Sequence, residues 1–170
     1  TDDHHVTLYE VDTAECKGRF DGHGDWVRSV MLSQDGNTAA SGGGDRALRV
    51  WDVRDANSLI NTCPCDNTVA AVCFHPSGQR IAVVGFTNSL KIIDASTGQV
   101  SQQLVCPCSD TRTVAFSPNG QRMAAAGRNG TIRIWDTANG SQERDIETDG
   151  RRIYNLPGEL VPVKQEGTKP

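Results

Sequence analysis

The sequence predicts an all-β chain of repeated units, each of consecutive antiparallel strands joined by short turns, and three observations carry that expectation. The first is a repeat: residues 27–52, 69–94 and 111–136 align without a gap, and Trp51, Ile93 and Trp135 stand 42 residues apart. Register holds at Gly36, Gly78 and Gly120, again at Gly43, Gly85 and Gly127, and at the basic column Arg49, Lys91 and Arg133. The second is a side-chain period of two. In Thr131-Ile132-Arg133-Ile134-Trp135 the two isoleucines are expected to face the core and Arg133 the water, and Leu48-Arg49-Val50 and Leu90-Lys91-Ile92 repeat the alternation. The third is the placing of Asp35-Gly36, Ser77-Gly78 and Asn119-Gly120 between strands, where glycine accepts a positive φ cheaply. With 17 glycines, 7 prolines and 5% aromatic residues, the chain is expected to hold almost no helix.

Each element follows in order. Residues 1–20 read as the end of an incomplete unit, because Val6-Thr7-Leu8-Tyr9-Glu10 puts Tyr9 in the column of Trp51. Units follow over residues 21–62, 63–104 and 105–147, with Val72, Phe74, Val114 and Phe116 as apolar positions of an earlier strand in the second and third of them. Residues 148–170 hold one more candidate strand at Ile153, which falls in the column of Val27, and then a polar tail.

Composition narrows the classes of function. The formal charge is −4, without the basic stripe that DNA or RNA usually demands, so a nucleic-acid partner is not indicated. No apolar run approaches the ~20 residues of a membrane-spanning helix, and a membrane partner is not expected. Six cysteines in a chain with an ample apolar supply read as free thiols, which places the protein in the cytoplasm, with the nucleus as the other compartment.

The 42-residue period, several strands per unit and the Trp-Asp endings resemble the WD-repeat β-propeller family. The resemblance is sharpest over residues 20–53, which hold Gly22-His23, Ser41-Gly42, Asp45 and Trp51-Asp52. In the next unit Pro64-Cys65 stands in place of Gly-His and Ile93 in place of Trp; the third keeps Trp135-Asp136 but has Pro107 where the His belongs. The implied fold is a propeller segment of about three to four blades. The expectation is that it forms part of a larger ring of about seven blades, as its C-terminal half, completed by blades of the same chain or of another.

Two constellations invite chemistry. His23, Ser41 and Asp45 hold the residue types of a hydrolytic triad, in which the His deprotonates the Ser. No nucleophile elbow or oxyanion-hole motif accompanies them. The resemblance implies instead that His23, Ser41, Asp45 and Trp51 form a structural hydrogen-bond network inside one blade. Cys63-Pro64-Cys65 and Cys106-Pro107-Cys108 could offer four thiolates to zinc, or a thiol function. Their one-residue spacing is not the common zinc spacing, and duplication of one unit accounts for both pairs without a metal. Gly42-Gly43-Gly44 lacks the Lys and helix of a phosphate loop and reads as a strand end needing close backbone approach. No catalytic residue and no cofactor are assigned.

The expected function is a non-catalytic scaffold that binds a protein or peptide. The alternatives are a Cys-based zinc or thiol site, and a propeller appendage to a signalling enzyme lying outside these residues. In the resembling family, two columns point to the face near the central channel. Carried onto this chain, they are Arg28, Ala70 and Arg112, and Gly44, Phe86 and Arg128, with Trp26 alongside as an aromatic anchor. Three arginines there suit an acidic or phosphorylated partner.

Overall fold

A computed structural model describes residues 4–55, 58–107 and 109–148, and among them there is no helix. Within the described residues fourteen strands form four antiparallel sheets. The first sheet holds β1 (His5–Tyr9) and β2 (Cys16–Asp21). The second holds β3 (Val27–Leu32), β4 (Thr38–Gly43), β5 (Ala47–Asp52) and β6 (Ser58–Pro64) in simple meander order. The third repeats it with β7 (Val69–Phe74), β8 (Arg80–Gly85), β9 (Ser89–Asp94) and β10 (Val100–Val105), the fourth with β11 (Thr111–Phe116), β12 (Arg122–Gly127), β13 (Thr131–Asp136) and β14 (Gln142–Glu147). This is a partial β-propeller, as the sequence repeat leads one to expect.

Local chemistry fixes the turns. Gly36, Gly78 and Gly120 have φ of 71°, 73° and 70° at equivalent hairpins, a region that side chains with a Cβ seldom enter. Gly43 and Gly85 answer a different need: a Cβ there would run into the carbonyl oxygens of Trp26 and Thr68. Gly44 N donates to that same Trp26 oxygen at 2.9 Å, which brings the loop before β3 against the β4–β5 turn.

The cores lie between sheets. Val72 and Phe74 pack in one cluster with Ala40, Leu48, Val50 and Cys63 of the second sheet. Val114 and Phe116 pack likewise with Ala82, Val84, Leu90 and Ile92 of the third. Polar ties cross both junctions: Val72 N donates to Ser29 Oγ at 3.1 Å, and His75 Nε2 lies 3.1 Å from the carbonyl of Gly120. In the same columns at the front of the second sheet, Val30 and Leu32 are 53% and 44% exposed, against 6% and 4% for Val72 and Phe74.

Two expectations are corrected here. Ile132 and Ile134 are only half-buried, whereas their equivalents Leu48, Val50, Leu90 and Ile92 are fully buried. Among the described residues no following sheet covers the face of β13 on which they lie. The basic column does not point to water either. Arg49, Lys91 and Arg133 have side chains only 14%, 16% and 19% exposed, and each is ion-paired, with Asp45, Asp66 and Asp145 respectively. Alternation along a strand sets the face correctly, but those carboxylates and the outer strands cover it.

Candidate functional site

The polar constellation of the second sheet is assembled from four places in the chain. β4 supplies Ser41, β5 supplies Trp51, the β4–β5 turn supplies Asp45, and the segment after β2 supplies His23. Trp51 Nε1 donates to Ser41 Oγ at 2.8 Å, so the serine proton turns to His23 Nε2, 2.7 Å away. That leaves His23 Nδ1–H to donate to Asp45, at 2.9 and 3.0 Å from its two oxygens. Asp45 also accepts from Gly24 N at 3.0 Å and from Arg49. Phe20 closes over Trp51, with ring centroids 5.7 Å apart at 52°.

Electrostatics agree with that proton arrangement. Burial pushes the His23 pKa down, outweighing the pull of the Asp45 carboxylate, so the ring is neutral. Burial acts on Asp45 in the opposite sense and raises its pKa, but the donors His23, Gly24 N–H and Arg49 prevail and hold it below the usual carboxylate range. Ser41 is fully buried and its oxygen is taken by Trp51. The hydroxyl therefore does not present itself to a substrate in the way a nucleophile must.

The cysteines sit apart. Cys63 and Cys106 are buried in different inter-sheet cores, and burial pushes the Cys63 and Cys65 thiols up. Among the described residues no group of three or more His, Cys, Asp or Glu is placed to hold a metal ion, and Cys108 lies outside those residues.

The axis-side columns come together at one rim. Two guanidiniums lie over the Phe86 ring, with Arg112 Cζ 4.6 Å and Arg28 Cζ 5.6 Å from its centroid. Arg112 grips Asp110 through Nε at 2.6 Å and Nη2 at 3.1 Å. Arg128 reaches the same carboxylate, Nε to Oδ2 at 2.9 Å. Arg28, Phe86, Arg112 and Arg128 thus form one continuous row contributed by three sheets. Trp26 is 51% exposed beside Arg28 at the start of β3. Ala70, in the column of Arg28 and Arg112, is half-buried and adds no charge, and Gly44 adds none either.

Sequence reasoning passed over three participants. Asp110 shares a column with Trp26 and Thr68, so no repeat signal marked it. Arg49 was assigned to solvent by alternation alone. His75, whose ring reaches across to the Gly120 carbonyl, carries one clue: its column otherwise holds serines, Ser33 and Ser117, whose hydroxyls hydrogen-bond within their own turns.

Comparison with known proteins fits this geometry. The family model "WD domain, G-beta repeat" matches residues 14–52 and 98–136, and "Anaphase-promoting complex subunit 4 WD40 domain" matches residues 49–110. The chain is 24% identical over 98 residues to the Periodic tryptophan protein 2 homolog of Schizosaccharomyces pombe, covering 58% of this chain and 12% of that protein. It is 28% identical over 102 residues to the small ribosomal subunit protein RACK1 of Drosophila melanogaster, covering 60% of this chain and 31% of that one. To nuclear distribution protein nudF of Aspergillus niger it is 31% identical over 71 residues, covering 42% and 16%. The chain therefore spans less than a third of the length of each of these relatives. The 42-residue register, the meander sheets, the His23–Ser41–Asp45–Trp51 network and these matches lead to one conclusion: the chain belongs to the WD-repeat family.

Proposed function

We propose that this chain is a non-catalytic interaction platform, and that its rim of Trp26, Arg28, Phe86, Arg112 and Arg128 binds an acidic segment of a protein partner in the cytoplasm. The observation that carries the reading is the Arg28–Phe86–Arg112 stack. Two guanidiniums held on one phenyl ring are oriented in advance, so less side-chain entropy is lost when a carboxylate or phosphate docks. Sheets packed face to face keep the row rigid, the arrangement by which a scaffold presents recognition residues. A relative whose name places it in the small ribosomal subunit is consistent with work done inside an assembly. A second contact rests on a separate observation: exposed Val30 and Leu32 stand in columns buried elsewhere, and ring-completing blades of the same or another chain would cover them.

The test is retention of partners from the native source by wild type, Phe86→Ala and Arg54→Glu. Arg54 is exposed and follows β5, at the end of the strand away from the rim. Loss by Phe86→Ala with retention by Arg54→Glu supports the rim. The reverse pattern overturns it.

A further inference from the structure

The rim contains a carboxylate of its own, and it sits where an acidic ligand would be expected to sit. Asp110 occupies the gap between Arg112 and Arg128, accepting from Arg112 Nε and Nη2 and from Arg128 Nε. In the equivalent positions the second sheet has Trp26 and the third has Thr68, so a carboxylate at this point is a feature of the fourth sheet alone. The pair is not sealed in: the Asp110 side chain is 24% exposed and that of Arg128 51%. Beyond Arg112 the row continues through Phe86 to Arg28, for which no carboxylate partner occurs among the described residues.

We propose that the place filled by Asp110 is an oxyanion seat for a phosphorylated side chain of the partner, with Asp110 as the resident group that the phosphate displaces. The inference rests on the rim being the recognition surface, and adds the chemistry that the surface selects. A partner carboxylate offers Arg112 and Arg128 the same charge and the same two oxygens as Asp110. It must also compete with a group tethered two residues from Arg112, whose effective concentration is of order millimolar or more. An ordinary Asp or Glu side chain therefore gains nothing by exchange. A phosphoryl group differs in kind. It carries about −1.5 to −2 charge and three acceptor oxygens, enough to hold the Arg112 fork and Arg128 together while keeping a residual charge that attracts Arg28. Asp110 then turns outward into water from a position already partly wet. No bond is made or broken. The resident carboxylate sets a threshold that favours dianions over monoanions.

The experiment titrates the protein with two peptides in low-salt buffer, followed by NMR shifts of Phe86 and the rim amides. The peptides are identical except for a central phosphoserine or aspartate. Wild type is expected to bind the phosphoserine peptide roughly tenfold more tightly than the aspartate peptide. Asp110→Asn is expected to tighten both, the aspartate peptide more, so that the gap narrows; its unfolding midpoint is measured alongside. Equal binding of the two peptides by wild type overturns the inference and leaves the rim reading standing. Weaker phosphoserine binding by a folded Asp110→Asn also overturns it, since Asp110 would then be holding the arginines in place for the ligand. If neither peptide binds wild type or Asp110→Asn, the inference and the acidic character of the partner fall together. Dependence of partner retention on Phe86 is a separate result that this outcome does not touch.

Discussion

Residues 23, 41, 45 and 51 of the unit over 21–62 and residues 65, 83, 87 and 93 of the unit over 63–104 occupy the same columns with different chemistry. The first set is a chain of hydrogen bonds running from the Trp51 indole through Ser41 and His23 to Asp45 and Arg49. The second is Cys65, Val83, Thr87 and Ile93: Val83 and Ile93 join the inter-sheet core, Cys65 packs against its edge, and Thr87 exchanges hydrogen bonds only with the backbone of Ser89. Both sets tie a loop to the inner part of a sheet. The polar one specifies each partner's position and proton, and it fails as a unit when one member is lost. The apolar one has no such requirement and depends on filled volume.

The largest expected effect separates these two modes. Ile93→Ala empties a fully buried site in the apolar set and is expected to cost about 2–5 kcal/mol, read from the urea midpoint at constant m-value. A cost below about 1 kcal/mol would mean that the surroundings collapse onto the smaller side chain, and that volume is not what holds the third sheet.

A smaller effect sharpens the polar side. Asp45→Ala leaves the His23 Nδ1–H, the Gly24 N–H and Arg49 without their acceptor, for an expected loss of about 1–3 kcal/mol. Asn129→Ala, in the same column of the fourth sheet, removes donations to Pro107 O and Thr131 Oγ1 from an exposed residue and should cost less. A cycle with His23→Ala should show that the double variant loses less than the two single losses combined. Equal losses at 45 and 129 would argue against cooperation within the network.

The smallest effect is in pH. Burial lowers the His23 pKa, so the unfolded chain takes up its proton first; the stability tied to the neutral ring is complete above about pH 6.5 and declines as pH falls below that. Asp45, also lowered, adds a further loss below about pH 4. His75 is lowered too, again by burial, and contributes in the same direction as His23. The thiols act oppositely. Burial raises Cys63, Cys65 and Cys73, so their contribution is present at neutral pH and is lost as pH climbs above the ordinary thiol value of about 8.5. His23→Gln should therefore melt at lower temperature at pH 7.5, yet lose less than wild type on going to pH 5.5. Parallel melting curves for the two proteins over that interval would place the titrating group elsewhere.

The repeat made the strands, the turns and the inter-sheet register legible from sequence, because Gly36, Gly78 and Gly120 or Val72 and Val114 answer one geometric demand in each unit. Proximity of Arg28, Phe86 and Arg112 was also accessible from columns, although the stacking of two guanidiniums on one ring was not: it depends on side-chain reach across two junctions. Asp110 was invisible for the opposite reason. Recognition residues vary from unit to unit, so a method that reads sameness passes over a position holding Trp, Thr and Asp in turn. The covering of Arg49, Lys91 and Arg133 escaped because their carboxylates come from three different places, a turn, a loop and an outer strand.

Packing by adjacency has a consequence for how the molecule opens. The third sheet is gripped on both faces, through Val72 and Phe74 on one side and Ala82, Val84, Leu90 and Ile92 on the other. Its neighbours share fewer such contacts among the described residues. Free energy in an array coupled only through nearest neighbours is a sum of units and junctions, so detaching a terminal unit breaks one junction and releasing an inner one breaks two. Amide protons of β8 and β9 should then be the last to exchange with solvent, and protons of β1, β2 and β14 the first. Fluctuation enters this chain from its flanks and arrives late at Phe86, the ring on which the arginines rest.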